Sequence, residues 1–278
     1  MNQHLSADKP RPMRSAPGKA AACLLLFSIA FGLKYHYSHA SSDDLTWVLK
    51  PTATLVMYLG DLTFVYESHT GFISREAGII IAPSCAGVNF MIVALLMAGC
   101  TGIFRLKTGW QIPVWIGLTG ISVYGLTLIV NAIRIIGAIH LYAADISRGS
   151  IYLGWLTPAR AHRLEGVGIY FLTLCLFHLA TQHLLTIFMG RTSMSETKVQ
   201  GNQRPFIGWT PAVWYFLVLT GIPLVHRTAT HHPVRFTEHD LTVVAGSILV
   251  LFILFLVRSA IGYCRRTTAS TDLTMQDN

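Results

Sequence analysis

This sequence predicts an all-α fold, a polytopic bundle of transmembrane helices, and three observations predict it. Only 12% of the 278 residues are charged, against roughly 25% in an ordinary soluble domain, and 52% are hydrophobic. Several apolar runs reach the roughly 20 residues that a helix needs to cross a bilayer. Backbone groups in lipid must also find their partners internally, and a helix does this within one segment.

The charge balance of +8 raises nucleic acid as a partner, but its placement excludes it. The basic residues sit in short loops beside apolar runs, with no basic stripe interleaved with aromatics. The charge therefore reads as membrane topology, and the surrounding partner is lipid. The five cysteines, Cys23, Cys85, Cys100, Cys175 and Cys264, show no CxxC or metal-ligand spacing, so no disulfide framework, metal or cofactor is implied.

In chain order, residues 1–19 form a polar, basic tail. The run Ala20 to Leu33 resembles a signal peptide, but KYHYSHASSDD follows in place of a small-residue cleavage site, so it reads as an uncleaved first span. The stretch from Leu45 to Tyr66 is apolar but interrupted by Lys50, Pro51, Gly60 and Asp61. GFISREAGIIIA, with Gly71 and Gly78, suggests a short hairpin or extended piece. A span through Phe104 follows, then a basic turn and the apolar stretch Trp110 to Leu141, which is longer than one bilayer needs. Thr157 and Pro158 have the character of an N-cap and first helical position, opening a helix to about Met189. The transmembrane core is thus 20–190. A polar linker covers 191–207, an accessory pair of spans lies within 208–258, and a polar tail covers 259–278.

Cys85 is the candidate reacting group. In IIIAPSCAGVNF, Pro83 cannot continue a hydrogen-bonded run and Ser84 is a good N-cap, which places Cys85 in the first turn of an apolar helix. A thiol there meets unpaired backbone N–H groups and the positive end of the helix dipole, both of which favour the thiolate. Two further polar features fall near the ends of later spans. Asn131 and Arg134 share one helix face at i and i+3, and so do His162 and Glu165. Ionisable groups at membrane depth are costly and so are functional suspects. Each has a bland alternative: a small hydrophobic cysteine, an arginine snorkelling to headgroups, a histidine satisfying a neighbour. Their conjunction at one membrane face favours acyl transfer. A thiolate attacks a carbonyl, a guanidinium donates to the oxyanion, and an imidazole moves the proton.

With the N-terminus inside and Cys85 outside, 12 of the 21 Lys and Arg residues fall in inside segments. This orientation requires an odd number of crossings before Cys85. Leu45 to Tyr66 must then be re-entrant or interfacial.

PSCAGVNF after a Gly-rich extended segment, NAIRI in a later span and RAHRLEGVG at the start of the next resemble the three signature regions of the exosortase/archaeosortase family. The order and spacing carry the resemblance over about residues 45–190, and PSCAGVNF is similar to the branch called exosortase K. Where the commoner pattern reads ACSG, this chain has SCAG, with Ala86 after the cysteine. The resemblance implies a thiol-dependent membrane transpeptidase or protease of the bacterial inner membrane, its site facing the periplasm or outside. Such an enzyme cleaves a C-terminal sorting signal of exported proteins and passes them to a surface acceptor. It also implies Cys85 as nucleophile, Arg134 as oxyanion or thiolate partner and His162 as acid/base; Asn131 and Glu165, on the faces of Arg134 and His162, and Ser84, as the N-cap, are supporting candidates from local geometry.

Two rival classes follow from other features. The cluster His226, His231, His232, His239 and Asp240 offers metal ligands, though without a helical HExxH motif. A transporter or assembly scaffold is the other, although transporters gather polar groups at the midplane of paired broken helices, and here they gather at one face.

Overall fold

The computed structural model describes residues 16–106, 110–148, 158–190 and 210–217. The elements are α1 (Ala16–His39), α2 (Thr46–Gly60), β1 (Val65–Glu67), β2 (Gly71–Ser74), β3 (Ile79–Ile81), a 3₁₀ turn (Pro83–Cys85), α3 (Val88–Arg105), α4 (Gln111–Arg148), α5 (Pro158–Gly190) and α6 (Thr210–Phe216). Among the described residues, four stretches are long and apolar enough to cross a membrane: Pro17–His39, Pro83–Arg105, Gln111–Leu141 and Leu164–Ile187. This fits a multi-pass membrane protein. The accessory spans fall mostly outside the described residues, as does the histidine cluster between them.

Helix α3 is the centre. It is apolar on every side, as a fully enclosed helix must be, and α1, α4, α5 and α6 all pack on it. Small residues at Ala94, Ala98 and Gly102 recur every four positions, which lets neighbouring helices approach closely. Trp115 of α4 lies over Gly102, where it excludes any Cβ, and its indole N–H donates to the Ala98 carbonyl at 3.1 Å. By contrast Leu24, Leu25, Phe27 and Phe31 on α1 remain exposed, as lipid-facing side chains would.

Helices α1 and α3 run antiparallel. Lys19 donates to the Phe104 carbonyl (3.2 Å) at one end and Lys34 to Asn89 Oδ1 (2.9 Å) at the other. Cys85, just before α3, therefore lies at the opposite end of the bundle from Ala16, with one spanning-length helix in between. Helix α2 has 15 residues, too few at about 1.5 Å each to cross the roughly 30 Å hydrocarbon core. Pro51 inside it has no N–H for the Trp47 carbonyl one turn back. The Tyr124 hydroxyl of α4 supplies that bond instead, at 2.8 Å, and the Trp47 and Tyr124 rings stack at 5.9 Å.

The all-α expectation requires one correction. Between α2 and Cys85 the chain forms a three-stranded antiparallel sheet in the order β1-β2-β3. Its register pairs Tyr66 with Phe72, and Phe72 with Ile81. Gly71, at φ 116° with the Ile81 carbonyl pressed against it, is a position that no L side chain can occupy without strain. The sheet is fastened to the turn after α1 through Asp43. This carboxylate accepts hydrogen bonds from Tyr66 Oη, Ser68 Oγ (2.9 Å) and the His69 backbone N–H (3.1 Å), and it pairs with His69 Nδ1 at 3.2 Å.

Those donors, Tyr66 foremost, hold the Asp43 carboxyl below the usual carboxylate range. A depressed folded-state pKa contributes stability that is present above the unfolded value and lost as pH falls through the folded one. The sheet should therefore stay fastened as pH is lowered through the ordinary Asp value of about 3.9, and release only in stronger acid. Acid-stable protease cleavage within residues 62–82, followed against pH, should show this delayed onset, and Asp43→Ala should remove it.

Candidate active site

The site is assembled at the end of the bundle where β3 leads into α3. Pro83–Cys85 forms a 3₁₀ turn closed by Cys85 N–H to Ala82 O (2.8 Å) and Ala86 N–H to Pro83 O (3.0 Å). Helix α3 begins only at Val88, after Gly87 in the left-handed region at φ 69°. This corrects the expected first-turn placement. Ser84 is exposed and makes no capping bond, and Cys85 lies ahead of the helix by three residues. Cys85 therefore lies outside the first turn of α3, where the helix dipole acts most strongly.

The turn is held from α4. Asn131, fully buried, donates from Nδ2 to the Cys85 carbonyl, and its Oδ1 accepts from the Tyr170 hydroxyl of α5 at 2.8 Å. One turn along the same face is Arg134, whose guanidinium lies 5.3 Å from the centroid of the Tyr170 ring. Arg134 Nε and Nη2 are buried and have no hydrogen-bond partner among the described residues. Their N–H bonds form one edge of the guanidinium fork, the edge that takes a carbonyl, carboxylate or oxyanion side-on. Buried donors left unspent cost free energy, so they suit an acceptor that arrives with a substrate.

Neither Arg134 nor the close of the apolar run at Leu141 ends the helix. Helix α4 continues to Arg148, past the site, and so it is one long helix that extends beyond the apolar stretch. Glu165 sits against Gly137 of α4, and Gly166 leaves just enough room for Arg134, whose Cδ is 3.3 Å from where a Cβ would stand. His162 is the fifth residue of α5, on the face that carries Gly166 and Tyr170 at successive i+4 positions. Its side chain lies outside the described residues.

The structure adds residues that the sequence reading passed over. Tyr170 touches both motifs from the earlier helices. Tyr37, near the end of α1, lies within electrostatic range of both Cys85 and Arg134. Lys34 brings a second cation to this end, 5.6 Å from the Tyr37 ring centroid. The only available signal was for Tyr170, at i+4 from Gly166 and i+8 from His162, where an aromatic in an apolar run otherwise reads as core. Among the described residues no group of His, Cys, Asp and Glu is arranged to hold a metal ion, and Cys23, Cys85, Cys100 and Cys175 are free thiols.

Gly87 is indispensable to this geometry. A Cβ there would stand 3.2 Å from Thr127 Cγ2, 3.3 Å from Tyr170 Oη and 3.4 Å from Asn131 Cγ, in a backbone conformation that L residues avoid. Gly78 has a similar φ of 64° but open space around it. Gly78→Ala should therefore cost only the strain of about 1 kcal/mol. Gly87→Ala should cost about 2 kcal/mol or more, since strain and crowding combine. Thermal unfolding of the two variants in the same detergent should separate them by several degrees.

Compared with protein-family models, with curated proteins and with solved structures, the chain matches none.

Proposed function

We propose that this protein is a membrane-embedded cysteine transpeptidase or protease that cleaves a C-terminal sorting signal of exported proteins and transfers them to a surface acceptor. The observation that carries the reading is the conjunction at one end of the bundle. A half-buried thiol stands on a turn tied by Asn131 to the helix of Arg134, which keeps one guanidinium edge unspent. The order of the motifs that hold these same residues, which resembles that of exosortases, supports it as well.

In this reading the Cys85 sulfur attacks the scissile carbonyl, and the new oxyanion takes the Nε and Nη2 protons of Arg134 as hydrogen bonds. His162 accepts the thiol proton and delivers it to the departing amine as the C–N bond breaks. The product is a thioester on Cys85 and a released signal segment. A nucleophile from the acceptor, or water, then attacks the thioester, and the thiol is regenerated. The site faces the periplasm or outside of a bacterial inner membrane, where exported substrates are met.

The test compares the C-termini of exported proteins in cells carrying wild-type protein and Cys85→Ala. Under this reading, a set of proteins ending in a short motif, an apolar span and a basic cluster keeps its full-length C-terminus only in the variant. Identical C-termini in both strains would overturn the reading and return the protein to the transporter or scaffold class.

A further inference from the structure

We propose that Tyr170 is a positioning residue for the thiol-bearing turn, acting in series through Asn131. The chain of contacts is continuous. The Tyr170 hydroxyl donates to Asn131 Oδ1 at 2.8 Å, and the Asn131 amide donates to the backbone carbonyl of Cys85. A primary amide whose oxygen is engaged by a donor is fixed in one of its two flips, with the NH₂ directed at the cysteine. Without the hydroxyl, Asn131 gains an equivalent flipped state in which its oxygen faces the Cys85 carbonyl and the turn is released.

Tyr170 is itself held rigidly. Its ring stacks on Phe90 of α3 with centroids 5.1 Å apart and planes at 21°, and the Arg134 guanidinium lies over the ring. One side chain of α5 thus registers the start of α3, the amide of α4 and the guanidinium of α4 against one another. Gly87 admits this arrangement, since any Cβ there would meet both Tyr170 Oη and Asn131 Cγ. The hydroxyl points at Asn131, so Tyr170 acts on the turn through that amide and not on the reacting atoms.

The inference rests on Cys85 as the reacting thiol, and its test needs no sorting substrate. In protein whose other four cysteines are replaced by serine, the rate at which Cys85 is alkylated by iodoacetamide at pH 7 is measured in detergent. Tyr170→Phe keeps the ring, its stacking and its contact with Arg134 while deleting the hydroxyl. The rate should fall about fivefold, the worth of one buried hydrogen bond. Asn131→Ala should produce a fall at least as large, and the double variant should be no slower than Asn131→Ala alone, because both changes break one series. A rate in Tyr170→Phe that is unchanged or raised, or losses that multiply in the double variant, would overturn the proposal. Series coupling combined with unaltered exported C-termini in Cys85→Ala cells would sink the sorting function and leave the positioning role standing.

Discussion

Cys85→Ala and Cys85→Ser are both expected to reduce the proposed processing of a C-terminal sorting signal by at least about a thousandfold, the scale on which loss of a covalent nucleophile is felt. Two features of the structure make this a clean result. The contact that ties residue 85 into the bundle is its backbone carbonyl, held by Asn131, and neither substitution alters it. Residue 85 is also outside any regular helix of the bundle, in a 3₁₀ turn, and its side chain is only half-buried at the edge of the core, so a smaller side chain should cost little stability. Loss of activity with an unchanged melting temperature would then locate the defect in chemistry. The serine variant sharpens the test, because its oxygen is a much poorer nucleophile without a strong base beside it. Processing by Cys85→Ser within tenfold of wild type would show that the sulfur is not the attacking atom.

The helices long and apolar enough to cross a membrane were legible because hydrophobicity is the property that marks them. Runs of about 20 apolar residues mark α1, α3, α4 and α5, and Pro158, expected to open the last of them, is its first described residue, with Thr157 outside the described residues. The pairing of Asn131 with Arg134 on one face was legible from the helical period alone. Helix boundaries near the site were not. The apolar run around Arg134 ends where lipid would end, at about Leu141, yet the backbone stays helical to Arg148. Hydropathy reports the solvent, and the hydrogen-bond ladder does not have to stop with it.

The start of α3 failed for a different reason. Pro83 and Ser84 supply the local signals of a helix N-terminus, and a short helical turn does begin there. What ends that turn is Gly87 in the left-handed region, and what keeps Gly87 there is the crowding of Thr127, Asn131 and Tyr170 from two other helices. That is tertiary information, absent from any window around Cys85. The sheet between α2 and Cys85 was only half legible for a similar reason. Its strands are three or four residues long, and the Asp43 anchor that fixes it lies more than twenty residues upstream of its first strand. Tyr170 was missed because an aromatic in a membrane helix has the same appearance whether its hydroxyl is idle or, as here, bonded to Asn131.

Arg134→Lys is expected to keep the fold and lose about a hundredfold or more in turnover, the range seen when a single oxyanion donor is removed. The positive charge survives this change, so the size of the loss measures geometry. Arg134 offers Nε and Nη2 on one edge, both buried and both without a partner among the described residues. An ammonium is a point donor on a flexible stem and cannot present two parallel N–H bonds to one oxyanion. It would also forfeit the guanidinium contact over the Tyr170 ring, 5.3 Å from its centroid. Since in the proposed mechanism the oxyanion exists only once the thiol has attacked, the loss should appear in kcat with KM little changed. Steady-state processing of a synthetic sorting peptide by protein reconstituted in lipid vesicles would read both constants. A lysine variant with near-normal kcat would mean that Arg134 contributes only charge, and the oxyanion would then have to be held by other donors.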